Sequence, residues 1–170
     1  MSIEVHSNVF TLNEIDSIYE YVSSKENFRK WVINKNSWPN HITNHSIGIV
    51  NILLFEGKIF EKIKNTLQKL LKTGEIIKTI MYYEWNQLSQ INWHTDGDHR
   101  VSLTVYLNEN WEPNWGGFFC SKCSDSETGN FFIPTFNTAL ITRGNFWHHV
   151  SLVNPLAPVR KTLQIFIDKE

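Results

Sequence analysis

The sequence predicts an α+β fold rich in β-structure, with helices in the first part of the chain and short strands after them. Before about residue 75, apolar residues recur with the 3.6-residue period of amphipathic helices. After it, they form short β-branched or aromatic runs that are mostly separated by Gly, Pro, Asn or Asp. No helix-length segment separates these runs, which favours a sandwich or barrel over a parallel sheet.

Two helices are predicted in the first part. Thr11 and Glu14 have the spacing of a capping box, in which each residue satisfies a backbone N–H of the other. An apolar stripe follows at i, i+3, i+4 and i+7: Ile15, Ile18, Tyr19 and Val22. The second helix is predicted from Lys58 to Lys72, and its stripe consists of Ile59, Phe60, Ile63, Leu67, Leu70 and Leu71. We expect both helices to pack outside one sheet.

Eight strands are predicted in the second part, because β-branched and aromatic residues are typical of strands and turn-forming residues end most of the runs. They are Ile76 to Trp85, Ile91 to Thr95, Val101 to Leu107, Gly117 to Cys120, Phe131 to Pro134, Thr138 to Thr142, His148 to Val153 and Arg160 to Ile167. We expect a single domain, residues 1–170. Residues 1–75 would provide helical support, and residues 76–170 would form the β-rich core.

Composition narrows the classes of function. The chain has 16 Lys and Arg against 17 Asp and Glu, which gives a formal net charge of −1 at pH 7. Nucleic acid is not an expected partner, because a general nucleic-acid or membrane-surface binder needs a basic excess. No apolar stretch is long enough to span a bilayer, and residues 1–6 lack the features of a signal peptide. We expect a cytoplasmic protein without a membrane partner.

One pair of residues has the spacing of metal ligands. His94 and Asp96 stand two positions apart at the end of a predicted strand, and alternate residues of an extended chain point to the same side. On a distant strand, His148 and His149 offer a third ligand. Two His and one carboxylate on one face of an iron ion leave the other face open, as in non-haem Fe(II) oxygenases. This spacing also occurs by chance and is a weak signal by itself, so capping or core packing remains the alternative explanation of the pair.

Four other histidines and the cysteine pair carry no predicted chemistry. Four histidines are isolated in polar surroundings: His6, His41, His45 and His99. Cys120 and Cys123 form one CxxC, which is half of a structural zinc site, and the chain has no second Cys pair. We expect both thiols to be reduced and incidental.

Seven short sequence motifs follow one another in the β-rich part of the chain. They are Tyr82 to Trp85, Ile91 to Asp96, Val105 to Asn108, Trp111 to Gly117, Pro134 to Asn137, His148 to Val153 and Arg160 to Leu163. In this order, over roughly residues 78–168, the sequence resembles the Fe(II)/2-oxoglutarate-dependent oxygenases, and within them the prolyl 4-hydroxylase-like branch. The resemblance implies that the β-rich core is a double-stranded β-helix, the jelly-roll or cupin-like barrel of this superfamily.

The resemblance also implies the metal ligands. By position, His94, Asp96 and His148 would bind Fe(II). The family pattern His-x-Val-x-x-Val fits His148, and His149 would point to the opposite side of the strand. Relatives that halogenate have a small residue in place of Asp96, so the carboxylate here implies hydroxylation.

2-Oxoglutarate and O2 are the implied cosubstrates. Arg160 would hold the far carboxylate of 2-oxoglutarate, because its planar guanidinium suits a bidentate pair, and the Thr162 hydroxyl would lie on the same face. A Tyr upstream of the first metal-binding His contacts the cosubstrate in this branch. Direct counting places Trp85 there, and a shift of two residues offers Tyr83, which we expect to make the contact.

The implied function is hydroxylation of an unactivated C–H bond in a small-molecule, peptide or protein substrate, prolyl first, with decarboxylation of 2-oxoglutarate to succinate and CO2. A nucleic-acid demethylase of the superfamily fits less well. Those relatives carry a second Arg after the first, and the corresponding position in this chain is Phe166. Two alternatives remain open: a β-barrel binding protein without catalysis, and a cupin-type metalloenzyme that does not use 2-oxoglutarate.

Overall fold

Two antiparallel sheets face each other, and helices cover the outer side of the larger one. The computed structural model describes residues 2–97, 101–122, 127–145 and 147–169. The helices are α1 (Leu12–Ser23), α2 (Asn34–Ser37), α3 (Asn40–Thr43) and α4 (Gly57–Leu67). The strands are β1 (Ser2–Ser7), β2 (Val32–Ile33), β3 (Ser46–Ile47), β4 (Val50–Leu54), β5 (Glu75–Trp85), β6 (Gln90–His94), β7 (Val101–Tyr106), β8 (Phe119–Lys122), β9 (Gly129–Phe132), β10 (Thr138–Arg143), β11 (Trp147–Val150) and β12 (Arg160–Lys169). Short 3-10 turns lie at Lys25–Asn27, Gln68–Leu70 and Pro113–Trp115.

The strand order defines two layers. The larger, seven-stranded sheet has the order β1-β10-β7-β12-β5-β4-β2, and the smaller, five-stranded sheet has the order β3-β6-β11-β8-β9. Neighbouring strands are antiparallel in both sheets. This arrangement is a β-rich α+β fold with the two facing sheets of a double-stranded β-helix. The predicted fold class is therefore confirmed.

Helices α1 and α4 pack on the outer face of the larger sheet. Their buried residues are Ile15 and Ile18 of α1 and Ile59, Ile63 and Leu67 of α4. They share one apolar core with strand residues such as Leu103, Leu163 and Ile165. Removing these apolar faces from water stabilises the contact between helices and sheet. No helix in the described ranges is long and apolar enough to cross a membrane.

The start of α1 has the predicted capping box. The backbone N–H of Glu14 donates to the Thr11 hydroxyl at 3.3 Å, and the Glu14 carboxylate accepts from the backbone N–H of Thr11 at 2.8 Å. The second helix is shorter than predicted. It ends at Leu67, and one 3-10 turn, Gln68–Leu70, continues it.

A second apolar core lies between the two sheets. Its buried residues are Val50, Ile52, Tyr83, Trp85, Ile91, Val150, Val153 and Ala157. Side chains of β12 point alternately to its two faces, so this one strand contributes to both cores. Leu163 and Ile165 face the helices, whereas Arg160, Thr162 and Gln164 face the space between the sheets. The polar inner face of β12 therefore comes to lie opposite the smaller sheet.

The part of the chain before residue 75 is not only helical support, which corrects the prediction for residues 1–75. It contributes β1, β4 and β2 to the larger sheet and β3 to the smaller one. β4 was not predicted because both its faces are buried, and a short continuous apolar run has no period that separates strand from helix. β1 is a short edge strand that pairs with β10 from Ser2 opposite Arg143 to Ser7 opposite Thr138.

Candidate active site

Two neighbouring strands of the smaller sheet bring the candidate ligands together. β6 and β11 are antiparallel, with His94 directly opposite His148, and their ring centroids are 4.2 Å apart. Asp96 follows β6 by two residues, and its Oδ1 lies 3.8 Å from Nε2 of His94 and 3.5 Å from Nε2 of His148. The ligand atoms of all three residues lie within 4.8 Å of one another. A metal ion bound by one atom from each residue therefore fits this cluster.

A bulge in β6 aims the histidine inward. Val150 pairs with Ile91 and His148 pairs with His94, so two residues of β6 oppose His149 alone. As a result Ile91 and His94, three positions apart, both face the interior. Trp93 turns outward and packs against His149, with ring centroids 4.3 Å apart. His149 therefore lies on the outer face of the sheet, away from Asp96.

Hydrogen bonding orients the His94 ring. Its Nδ1 lies 2.7 Å from the Asn92 carbonyl oxygen, which can only accept, so Nδ1 carries the proton. This leaves the lone pair of Nε2 directed toward Asp96 and available to a metal. Burial, followed by the charge of His148, lowers the pKa of His94 to about 4. The imidazole is therefore neutral at pH 7, as metal ligation requires.

Asp96 remains ionised although it is largely enclosed. Burial by itself raises the pKa of this carboxyl group. The hydrogen bond and the electrostatic influence of His148, together with a hydrogen bond from Ser102, outweigh that effect and hold the pKa below its usual value. The cluster thus offers one carboxylate and two imidazoles, the donor set of mononuclear non-haem iron sites.

Arg160 lines the same interior. It is 1% exposed, and its guanidinium carbon lies 5.1 Å from the Trp85 ring and 5.3 Å from the Tyr106 ring. Its buried Nε has no hydrogen-bond partner among the described residues. Burial lowers the pKa of Arg160 to about 10, and Tyr106 partly offsets this, so the group stays charged at pH 7. A buried cation with an unsatisfied N–H fits an anionic ligand.

Gly117 makes room for Arg160. A Cβ atom at this position would lie 2.8 Å from Cδ of Arg160 and 3.3 Å from the Trp111 ring. The backbone of Gly117 also has φ +64°, a left-handed conformation that favours glycine. Glycine at position 117 thus permits a close approach of the backbone to the arginine.

Tyr83, Trp85 and Thr162 all line the interior. In the pairing of β5 and β12, Trp85 lies opposite Arg160 and Tyr83 opposite Thr162. The Trp85 indole N–H donates to the Thr162 hydroxyl at 3.3 Å, while the Tyr83 hydroxyl accepts from the Trp38 indole at 3.3 Å. Trp85 therefore contacts Arg160 and Thr162, whereas Tyr83 contacts the Trp38 side chain.

Tyr106 is a candidate residue beside Arg160 that sequence reasoning missed. Its side chain is buried, and its ring lies 5.3 Å from the Arg160 guanidinium carbon. Burial raises its pKa to about 12, so it remains a phenol that can donate a hydrogen bond. The sequence contained a signal for it. Side chains alternate along β7, so Tyr106 lies on the same face as Thr104 and Ser102, which line the cavity.

One cavity of about 230 Å³ joins the metal-ligand candidates to Arg160. Its apolar wall consists of Pro39, Ile42, Met81, Ile91, Phe119, Val150 and Phe166, besides the aromatic rings already described. Residues 37–42, from the part of the chain with no predicted motif, close one side of it. His41 is among the residues that line the cavity, although the sequence assigned it no role.

Cys120 is not among the residues that line this cavity. Cys120 is half-buried on β8 opposite His149, and burial raises the pKa of its thiol. Cys123 and His99 lie outside the described residues. The prediction of incidental thiols therefore stays a prediction.

Comparison with known proteins identifies a family. The profile of the 2OG-Fe(II) oxygenase superfamily matches residues 79–168. No curated protein sequence matches the chain. The matched segment includes every predicted ligand together with Arg160, Thr162 and Tyr83.

Solved structures share the fold over nearly the whole chain. A prolyl-4-hydroxylase of Pseudomonas putida is 14% identical with a TM-score of 0.68, and the match covers 99% of this chain and 92% of that one. A 2OG-Fe(II) oxygenase family oxidoreductase of Burkholderia pseudomallei is 16% identical with a TM-score of 0.71, covering 99% and 85%. A prolyl hydroxylase of Trichoplax adhaerens, solved in complex with a hypoxia inducible factor peptide fragment, is 15% identical with a TM-score of 0.70, covering 98% and 83%. At these identities the likeness concerns the fold alone.

Proposed function

The chain belongs to the 2OG-Fe(II) oxygenase superfamily, an enzyme family that uses Fe(II), 2-oxoglutarate and O2, and we propose that it hydroxylates an unactivated C–H bond of a prolyl or other amino-acid or peptidyl substrate. In this reaction 2-oxoglutarate is decarboxylated to succinate and CO2. His94, Asp96 and His148 hold the iron, and Arg160, Thr162 and Tyr83 surround the cosubstrate.

One observation carries this proposal: a two-His, one-carboxylate cluster lines the same cavity as a buried arginine, which has no carboxylate partner among the described residues. 2-Oxoglutarate has a metal-chelating end and a far carboxylate, so it matches both features. When bound, the iron and its cosubstrates supply the oxidising power that breaks the C–H bond. Every other contribution comes from the chain's own side chains.

Those side chains bind, orient and exclude water. The neutral imidazole of His94 and the ionised Asp96 are ready to ligate without a change of protonation. Arg160 offers its guanidinium to the far carboxylate, and the Tyr106 hydroxyl beside it donates to the same group. The Thr162 oxygen already accepts from Trp85, so its own proton is free to point at the carboxylate.

The cavity supports a small uncharged target group. Its volume of about 230 Å³ lies below the roughly 300–1,000 Å³ of pockets for drug-sized ligands, and 2-oxoglutarate takes part of it. Among the described residues, Asp96 is the only carboxylate that lines it, so a cationic side chain would find no free partner. A proline ring fits these conditions. The structural neighbours named for prolyl hydroxylation, one of them with a bound peptide, support the same substrate class.

Anaerobic addition of Fe(II) and 2-oxoglutarate to the purified protein tests the proposal, with the visible charge-transfer band of the chelate as the readout. We expect a band in the wild-type protein, no band in His148→Ala and a weaker one in Arg160→Ala. His149→Ala is the matched control, because His149 is the next residue of β11 but lies on the outer face, and it should keep the band.

A different result would point to another class. If the folded wild-type protein bound iron but showed no band with 2-oxoglutarate, a cupin-type metalloenzyme or a non-catalytic binding protein would replace the proposal. Equal loss of the band in His149→Ala and His148→Ala would also contradict the assignment of ligands.

A further inference from the structure

The cavity has a roof formed by residues 37–42, between the end of α2 and the middle of α3. Ser37, Trp38, Pro39, His41 and Ile42 all line the cavity. This roof lies outside the segment matched by the superfamily profile, residues 79–168. The profile therefore does not account for its side chains, which makes them candidates for what is particular to this chain.

Trp38 is held as a rigid part of the wall. Its backbone N–H donates to the Asn34 carbonyl at 2.8 Å, and its indole N–H donates to the Tyr83 hydroxyl at 3.3 Å. Its ring centroid lies 5.7 Å from that of Trp85 and 6.1 Å from that of Tyr83. An aromatic face fixed on three sides is preorganised to pack against an apolar ring.

His41 is the polar counterpart of Trp38 in the roof. It is exposed and has no hydrogen bond or ion pair with any described residue, so its ring N–H groups are available to a ligand. It lines the same cavity as the three metal-ligand candidates, His94, Asp96 and His148. Apart from those three residues, Tyr83 and Arg160, His41 is the only titratable side chain among the described residues lining the cavity.

These observations carry an inference about substrate selection, which rests on the proposed function. We propose that Trp38 packs against the target ring and that His41 donates a hydrogen bond to the carbonyl oxygen beside that ring. A prolyl residue within a peptide carries both features, an apolar ring and a flanking amide carbonyl. His41 and Trp38 would thus be specificity-determining residues, while residues 79–168 supply the chemistry.

Binding of N-acetyl-L-proline N-methylamide tests this inference. The ligand is titrated into the anaerobic Fe(II) and 2-oxoglutarate complex, and its binding is followed by the shift of the charge-transfer band and by tryptophan fluorescence. One hydrogen bond to a neutral acceptor corresponds to a loss of about three- to tenfold in affinity for His41→Ala. His41→Gln should recover most of it, because the amide N–H can donate in place of the imidazole.

Two further variants separate the two contacts from general effects of the roof. Trp38→Ala should weaken binding by about tenfold, and Trp38→Phe, which keeps an aromatic face, by much less. His45→Ala is the control, because His45 is an exposed histidine just beyond α3 that does not line the cavity. It should bind the ligand as the wild-type protein does.

The outcomes distinguish this inference from the proposed function. Absence of the charge-transfer band before the ligand is added would contradict the proposed function itself. A normal band combined with no binding of the prolyl ligand, or with equal binding by His41→Ala and wild type, would overturn the inference about the roof and leave the proposed chemistry standing.

Discussion

At the scale of single residues, three neighbours determine the position of Arg160. The rings of Trp85 and Tyr106 lie at 5.1 and 5.3 Å from its guanidinium, and Gly117 lies against its Cδ. A charge with 1% exposure is costly unless an anion compensates it, and no ion pair joins Arg160 to a carboxylate of the described residues. These three neighbours therefore hold the arginine in the position where the proposed function requires it to meet the far carboxylate of 2-oxoglutarate.

Replacing Gly117 by Ala should weaken 2-oxoglutarate binding. The new Cβ would meet Cδ of Arg160 at 2.8 Å and displace the guanidinium from the cavity. Losing a charge-assisted hydrogen bond of about 1.5–3 kcal/mol corresponds to a roughly ten- to hundredfold higher dissociation constant. Titration of the anaerobic Fe(II) protein with 2-oxoglutarate measures it.

Gly57→Ala is the matched control for backbone strain. Gly57 has φ +59°, close to the +64° of Gly117, but a Cβ atom at position 57 would have no heavy atom within 4 Å. The Gly57→Ala variant should lose about as much stability as Gly117→Ala and should keep its affinity for 2-oxoglutarate. If both variants bound 2-oxoglutarate equally, the space beside Arg160 would not be the reason for glycine at position 117.

At the scale of elements, Arg143 joins three strands on the outer side of the larger sheet. From the end of β10 it forms ion pairs with Glu75 of β5, at 2.8 Å, and with Glu4 of β1, at 2.6 Å. The side chains of Arg143 and Glu75 are 7% and 1% exposed. Arg143 also donates to the Leu70 carbonyl at 3.1 Å. The pairing connects the edge strand β1 with the centre of the sheet.

Glu75→Gln should destabilise the fold, because it leaves the buried Arg143 with only one carboxylate. Breaking a buried pair costs about 3–5 kcal/mol, and the remaining Glu4 should keep the loss near about 3 kcal/mol. Urea unfolding measures it. Glu56→Gln is the control, since Glu56 forms an exposed pair with Lys30 at 3.9 Å and should change stability by less than about 1 kcal/mol.

The same pair predicts a pH dependence. Burial raises the pKa of Glu75, but the hydrogen bond and charge of Arg143 outweigh it and leave the pKa lowered. A lowered pKa in the folded state means that the contribution to stability is present above the unfolded value of about 4.3 and is lost as pH falls through the folded value. The difference in stability between wild type and Glu75→Gln should therefore shrink below about pH 4. A constant difference down to pH 2 would contradict this linkage.

At the scale of the whole molecule, the site spans both layers of the fold. His94 and His148 come from the smaller sheet, whereas Arg160 and Thr162 come from β12 of the larger one. A metal with 2-oxoglutarate would thus contact both sheets at once. Binding should therefore stabilise the packing between the sheets as well as the local cluster.

This geometry predicts that Mn(II) and 2-oxoglutarate together raise the thermal stability by more than either does alone. Mn(II) is used in place of iron because it does not support oxidative turnover. At 100 times the dissociation constant, the gain is about 2.7 kcal/mol, or roughly 5–10 °C in Tm for a chain of this size. 2-Oxoglutarate with a chelator in place of Mn(II) should produce almost none of it. An equal shift with and without metal would mean that the cosubstrate does not bind through the metal.

Much of the fold and the central site follows from local sequence. The capping box at Thr11 and Glu14 and the apolar stripes place α1 and most of α4. Alternating runs place the later strands within a few residues, and β12 begins at Arg160 as predicted. The spacing of His94 and Asp96 and the motif around His148 indicate the cluster. Each of these signals acts between residues that are close along the chain, where backbone geometry alone relates side chains.

The tertiary structure decided what depends on contacts between distant segments. The place of Tyr106 beside Arg160 follows from the pairing of β7 with β12, and the roof of Trp38 and His41 reaches the cavity only because residues 37–42 fold over the sheets. β1 and β4 joined the larger sheet because partner strands satisfy their backbone hydrogen bonds, which no local period reveals. Local sequence established which chemical groups are present and the backbone structure around the metal-ligand candidates. Strand register and packing decided which other side chains share their cavity, because those distances are set by residues far apart in the chain.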